Sequence, residues 1–156
     1  MAGDGGGRCL TTTNREDNHA DVQKHPLARR RSKKIWHMIG DFGKLGRWHP
    51  AIASSEIESG GGATVRRLTT GDGAVLRERL LARSDSERSY SYSIVESPLP
   101  VRDYHSTIRV ADLGGGRSAV IWQGRFEAVG EAEAALDLIA GIYDAGLDNL
   151  RKMVEG

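Results

Sequence analysis

Residues 131–154 read EAEAALDLIAGIYDAGLDNLRKMV, one long amphipathic helix near the end of the chain. Leu136, Ile139, Tyr143, Leu147 and Leu150 recur at three- and four-residue spacing and mark one face, with Leu138, Ile142, Ala145 and Asn149 beside it. Asp137, Asp144, Asp148, Arg151 and Lys152 lie mostly toward water. At 1.5 Å per residue the helix is roughly 35 Å long, so its apolar stripe needs a broad surface to cover it. Gly141 and Gly146 interrupt good helix formers at a cost of about 1 kcal/mol each. One use of such glycines is to leave room, for close sheet contact or for a ligand.

The preceding segments supply that surface. Strand character is predicted for Ile52–Glu58, for Thr64–Thr70 after the glycines at 60–62, and for Ala74–Arg83 after the turn Gly71-Asp72-Gly73. Tyr90–Val95 follows, ended by Pro98 and Pro100, then Tyr104–Ala111 and Ser118–Glu127, separated by Gly114-Gly115-Gly116. Short connections make successive strands antiparallel neighbours. Upstream, Ile35, Trp36, Ile39 and Phe42 have helical spacing that Gly43 ends, and Leu45 and Trp48 point to a second short helix stopped by Pro50. The expected fold class is α+β.

A chain of 156 residues has the size of one domain and can bury a full core. Residues 1–33 have a different texture, with Gly3, Gly5, Gly6 and Gly7 at one end and Arg29-Arg30-Arg31 and Lys33 at the other. No apolar period runs through them, so they are expected to be a disordered or degenerate segment, with the ligand-binding domain at 34–154. Residues 1–34 hold eight Lys/Arg against four Asp/Glu, or +4, and residues 35–156 hold fourteen against seventeen, or −3. The basic excess belongs to a solvated tail, and the domain lacks the footprint of a nucleic-acid binder. Cys9 is the single cysteine, so no intrachain disulfide forms. No apolar run approaches the roughly 20 residues of a bilayer span, and the N-terminus lacks a secretory core. The expectation is a soluble, cytoplasmic protein without a membrane partner, a monomer or weak dimer.

Strand alternation assigns faces. Leu76, Glu78, Leu80 and Ala82 share the inner side, opposite Arg77 and Arg79. Tyr90, Tyr92 and Ile94 form the next inner set, then Tyr104, Ser106, Ile108 and Val110, with His105 and Arg109 outside, and finally Val120, Trp122 and Phe126. A carboxylate between two leucines is costly to bury, so the Glu78 pKa is expected to rise unless a polar partner meets it. The inner wall thus carries Glu78, Tyr92, Tyr104 and Ser106. Two readings fit: a satisfied core network, such as Tyr104 donating to Glu78, or a pocket whose few polar groups orient a ligand. His49, beside Pro50, and His105, facing water, are read as structural or solvated. No spaced Cys/His cluster points to a metal, no glycine run opens a helix as a phosphate loop, and no serine sits in a nucleophile elbow, so no cofactor is expected.

Several segments resemble the START/Bet v 1-like superfamily, and within it the bacterial SRPBCC, polyketide cyclase/dehydrase-like, group. They are Ile35-Trp36-His37-Met38-Ile39-Gly40-Asp41-Phe42, Leu45, Trp48-His49-Pro50, Glu78-Arg79-Leu80, Tyr90-Ser91-Tyr92-Ser93-Ile94, and Tyr104 with Ser106. The resemblance implies a helix-grip fold: a curved antiparallel sheet of six to seven strands wrapped around the long C-terminal helix, with two short helices near the N-terminus. It implies that Glu78, Tyr92, Tyr104 and Ser106 face a ligand cavity. Ile94 and Trp122 from the sheet and Ile142 and Asn149 from the helix complete the expected ligand-binding set.

Related plant hormone receptors place a lysine where this chain has Ala53, so hormone reception is not expected. Members of the superfamily also begin with an alternating strand, and Pro26–Lys34 has no such pattern. Disorder is expected up to about Pro26. Any first strand is expected near Asp21–Leu27, where Val22 and Leu27 are apolar. The function expected is binding of an apolar or aromatic small molecule by a noncatalytic binder or carrier. The alternative is a cyclase or dehydratase with Glu78 and Tyr104 as acid and base. Ser97–Val101, with Pro98 and Pro100, is expected to form a lip of the pocket.

Overall fold

The computed structural model describes residues 8–14, 19–25, 27–28 and 31–155. In chain order the strands β1 (Arg8–Asn14), β2 (His19–His25) and β3 (Leu27–Ala28) precede helix α1 (Ser32–Ile39) and a 3-10 helix (Phe42–Arg47). There follow β4 (Ile52–Gly60), β5 (Ala63–Thr70), β6 (Val75–Ser84), β7 (Ser89–Glu96), β8 (Val101–Gly114), β9 (Arg117–Ala128) and helix α2 (Ala132–Glu155). The strands β4 to β9 form an antiparallel meander, and β9 continues into β2 and then β1, with β3 also on β9. This is the helix-grip fold, a curved antiparallel sheet holding one long helix.

The meander forms where the alternation places it. Tyr90, Tyr92, Tyr104, Ile108, Val110, Val120, Trp122 and Phe126 are all buried, and His105 and Arg109 are exposed. From α2, Leu136, Ile139, Tyr143, Leu147, Leu150 and Val154 are buried in the same core. Trp122 and Tyr143 stack with centroids 4.3 Å apart and planes at 9°.

Three expectations change. The first helix ends at Ile39, because Gly40 caps it, donating its N–H to the Trp36 carbonyl at 2.7 Å. Asp41 then starts the 3-10 helix, its carboxylate accepting the Gly43 N–H at 3.0 Å. Ala82 does not share the inner side: the register shifts between Leu80 and Ala82, leaving Ala82 exposed. That bulge lets the Arg83 guanidinium lie over Trp36, 5.1 Å from the ring centroid, and donate to the Gly40 carbonyl. Lastly, the disorder expected up to about Pro26 gives way to strands at residues 8–14 and 19–25. Here β2 pairs with β9, Val22 opposite Gly124, and Ala20 and Val22 are fully buried. Two small apolar anchors suffice because β9 supplies the backbone partners the segment lacks by itself. Residues 1–7, 15–18, 26, 29–30 and 156 lie outside the described residues.

The two helix glycines differ. A Cβ on Gly146 would lie 2.6 Å from His49 Cδ2 and 3.1 Å from Trp122 Cζ3, whereas one on Gly141 would meet nothing within 4 Å. Gly141 is exposed and carries only the entropic penalty of a helical glycine. Gly141→Ala is therefore expected to stabilise by about 1 kcal/mol. Gly146→Ala is expected to destabilise by about 1–3 kcal/mol through overpacking. Urea denaturation of both variants checks this, and equal effects would remove the close-approach role of Gly146.

Candidate functional site

Between the concave sheet and α2 lies a cavity of about 460 Å³. Apolar side chains make most of its wall: Leu45, Ile52, Leu68, Leu76, Ile94, Leu99, Ile139 and Ile142 among them. The polar groups on the wall come from every layer. β6 brings Glu78, β7 Tyr92, β8 Tyr104, the segment after the 3-10 helix His49, and α2 Tyr143. Pro98 and Leu99, from the loop expected to be a lip, stand on the wall beside Pro50, Ala51 and the 71–72 turn.

Glu78 is 5% exposed and is held by Arg66, which is 0% exposed. Glu78 Oε1 lies 2.8 Å from both Arg66 Nε and Nη2, with the Nε–H aligned as the hydrogen bond. Arg66 Nη1 donates to the Phe42 carbonyl at 3.1 Å, and the guanidinium lies 4.2 Å from the Phe42 ring centroid and 4.7 Å from that of Tyr92. An aromatic cage thus replaces water around the cation. Burial pushes the Glu78 pKa up, against the pull of Arg66. Burial alone would lower the Arg66 pKa, but the charge of Glu78 together with the smaller contributions of Tyr90 and Tyr92 outweighs it, and the net direction is up. The raised Glu78 pKa agrees with the expectation from Leu76 and Leu80.

A second cluster closes the far wall. Tyr143 reaches the sheet because Gly124 has no side chain, and a Cβ there would overlap its hydroxyl. The Tyr143 hydroxyl bonds Ser106 Oγ at 2.8 Å and the Tyr104 hydroxyl. Ser106 donates to the Gln123 carbonyl at 3.0 Å, and Trp122 Nε1 lies 3.1 Å from both Ser106 Oγ and the Tyr92 hydroxyl. Burial pushes the pKa of Tyr104 and of Tyr143 well above that of an ordinary phenol; Tyr143 raises Tyr104 further, whereas the hydrogen bonds to Ser106 and Tyr104 pull Tyr143 partly back.

His49 has both nitrogens engaged. Nε2 lies 2.7 Å from the Ile142 carbonyl, which can only accept, so Nε2 carries the proton, and Nδ1 accepts the Ala51 N–H at 3.2 Å. Burial lowers its pKa, the Ile142 carbonyl opposes this, and Arg66 adds to the lowering. A histidine lowered by folding contributes stability that is present above its unfolded pKa of about 6.5 and is lost as pH falls toward the folded value. Stability is therefore expected to decline from about pH 6.5 to pH 5. His49→Gln, which can donate to the same carbonyl without titrating, flattens that limb. Glu58, Asp72 and Asp85 have lowered pKa values from their hydrogen bonds and titrate below this window. Denaturation midpoints across the range decide it, and an unchanged slope in the variant removes His49 as the cause.

The sequence profile of a family described as polyketide cyclase/dehydrase and lipid transport matches residues 22–155. The chain belongs to this family. As a polyketide cyclase/dehydrase-like protein it is similar in structure to XoxI from Bacillus cereus, with a TM-score of 0.82 and 36% identity over 86% of this chain and 95% of that one. It shares the fold of the Zhui aromatase/cyclase from Streptomyces sp. R1128, with a TM-score of 0.70 and 17% identity over 88% and 94% of the two chains. Norcoclaurine synthase from Thalictrum flavum, solved with dopamine and hydroxybenzaldehyde, gives a TM-score of 0.67 and 18% identity over 94% of each chain. No match is found among curated proteins. The profile begins at Val22, inside β2, so the latter part of that strand lies in the matched region.

Within this polyketide cyclase/dehydrase-like chain the structure brings six expected residues to the cavity wall: Glu78, Tyr92, Ile94, Tyr104, Trp122 and Ile142. Ser106 and Asn149 stand off it. Ser106 is buried behind Tyr143, and Asn149 donates to the Trp48 carbonyl at 2.8 Å, tying α2 to the segment before His49. The bond imagined from Tyr104 to Glu78 is replaced by two separate clusters, Arg66–Glu78 and Tyr104–Tyr143–Ser106. Arg66, Tyr143 and the wall position of His49 are additions that the sequence reading did not make.

Proposed function

We propose that this chain binds an apolar or aromatic small molecule in the cavity between sheet and α2, as a noncatalytic binder or carrier. The observation that carries the reading is the cavity itself: about 460 Å³, within the range of small-molecule sites, walled mostly by apolar side chains with a few fixed polar groups. Glu78, Tyr92, Ile94, Tyr104, Trp122 and Ile142 are its proposed ligand contacts. The rival reading makes Glu78 and Tyr104 an acid and base. It fits poorly, because efficient proton transfer needs groups that titrate near the working pH, and burial drives Tyr104 well above it. Glu78 is moreover committed to Arg66 through Oε1.

Among the described residues no helix is long and apolar enough to cross a membrane. A carrier working in the cytoplasm as a monomer or weak dimer is the setting proposed. Native mass spectrometry of freshly purified protein tests the binding reading. A copurified small molecule that is lost on substituting Ile142 by Trp, which fills the cavity, is the expected result. Retention of the same molecule by that variant places it elsewhere and ends the proposal.

A further inference from the structure

We infer that the ligand presents hydrogen-bond donors to the cavity, as a phenol, an alcohol or an amine does, and is not a carboxylate or an acceptor-only ketone or ether. The inference rests on the cavity being the binding site. Its ground is the direction in which the protons of the wall must point.

The Gln123 carbonyl can only accept, so the one proton of Ser106 Oγ, at 3.0 Å, is spent on it. Trp122 Nε1 can only donate, and it does so to Ser106 Oγ and the Tyr92 hydroxyl, each at 3.1 Å. Ser106 has then no proton for Tyr143, so the Tyr143 hydroxyl at 2.8 Å donates to it. With that proton committed, the contact between the two tyrosine hydroxyls has one solution: Tyr104 donates to Tyr143. Tyr104 is therefore left with an acceptor lone pair, and its proton is directed away from any ligand.

The same count applies to the rest of the wall. Arg66 occupies Oε1 of Glu78, and no described residue donates a hydrogen bond to Oε2. The His49 proton is spent on the Ile142 carbonyl and its lone pair on the Ala51 N–H. Thr70 is bonded to Asp72, and the Asp72 carboxylate accepts. The Tyr92 hydroxyl accepts from Trp122 Nε1 and is hydrogen-bonded to Ser106, and since the Ser106 proton is spent on Gln123, the Tyr92 proton is directed at Ser106 and not at a ligand. No lysine or arginine lies on the wall among the described residues, and Arg66 is fully buried behind Glu78.

The cavity thus offers acceptors at Glu78 Oε2 and Tyr104 and no cation. A ligand carboxylate would face a carboxylate there after losing its own water. A donor on the ligand supplies what the wall lacks, and a site built around such a bond discriminates against the analogue without it.

Four probes with one ring system test this by calorimetry near neutral pH: 2-naphthol, 2-naphthylmethylamine, 2-methoxynaphthalene and 2-naphthoate. The naphthol and the amine are expected to bind at least about tenfold more tightly than the methoxy compound, with naphthoate weakest. Equal affinities, or an order led by naphthoate or the ether, overturn the donor inference and leave the cavity reading intact. Binding of none of the four overturns the cavity reading, and the inference with it.

Glu78→Gln locates the effect. Its amide oxygen can still accept from Arg66, and its NH2 turns a donor toward the ligand. The preference for naphthol over the ether is then expected to shrink at least about threefold. Tyr104→Phe, read in the same way, serves if the first variant does not fold. A preference unchanged in the folded variant assigns the selectivity to another part of the chain and overturns the inference.

Discussion

Arg66→Met is expected to lower stability by about 3–5 kcal/mol, the cost of removing one partner from a buried ion pair. Arg66 is fully buried, and its Nε and Nη2 hold Glu78 Oε1 at 2.8 Å. Methionine would keep contact with the rings of Phe42 and Tyr92 but would strand the carboxylate. It would also release the Phe42 carbonyl, which accepts from Arg66 Nη1. Glu78→Leu in the same chain removes the stranded charge, so the double variant is expected to return to within about 1–2 kcal/mol of the parent. The single variant should also lose less at acid pH than at neutral pH, because the unpaired Glu78 then takes a proton. Urea denaturation of the parent, the two single variants and the double variant gives the coupling directly. Additive losses would mean that the two groups do not depend on each other, against the geometry seen here.

This pair shows how far the sequence could be read. The turn Gly71-Asp72-Gly73 fixes the register of β5 against β6, and that register sets residue 66 opposite residue 78. Leu68 marks the inner side, and Arg66 lies two residues before it on the same side. The partner of Glu78 was therefore legible. It is missed when an arginine in a strand is assumed to point outward, as Arg77 and Arg79 do.

The faces of β7, β8 and β9 were legible because most of their inward positions, from Tyr90 to Ile94, Tyr104 to Val110 and Val120 to Phe126, are apolar or aromatic, with Ser106 and Gly124 the exceptions. Alternation failed at Ala82, where a bulge moves one residue across the sheet, and no residue type there signals it. Strand β2 was hidden for another reason. Among its described residues the buried ones are Ala20 and Val22, too little apolar surface to announce a strand without its partner β9. The helical period places Tyr143 on the buried face of the helix. That its hydroxyl crosses to Ser106 depends on Gly124, a gap in a distant strand that a helical period does not report.

Gly124→Ala is expected to cost about 2–4 kcal/mol. Its Cβ would overlap the Tyr143 hydroxyl and come within 3.2 Å of Tyr143 Cζ. The ring cannot swing aside freely, since it stacks on Trp122 at 4.3 Å and its helix is anchored by buried neighbours on either side. Moving Tyr143 would strand the Tyr104 proton and the accepting lone pair of Ser106, so a packing penalty and a hydrogen-bond penalty fall together. Tyr143→Phe removes the overlapping atom. In that background the same alanine is expected to cost about 1 kcal/mol, for the remaining contact with Cζ. Thermal melts of the four chains measure the difference. An alanine penalty equally large with phenylalanine at 143 would show that the strand, not the hydroxyl, requires the glycine. If the alanine costs nothing in the parent chain, Tyr143 does not stand against β9, and the proton order from Tyr104 to Gln123 falls with it.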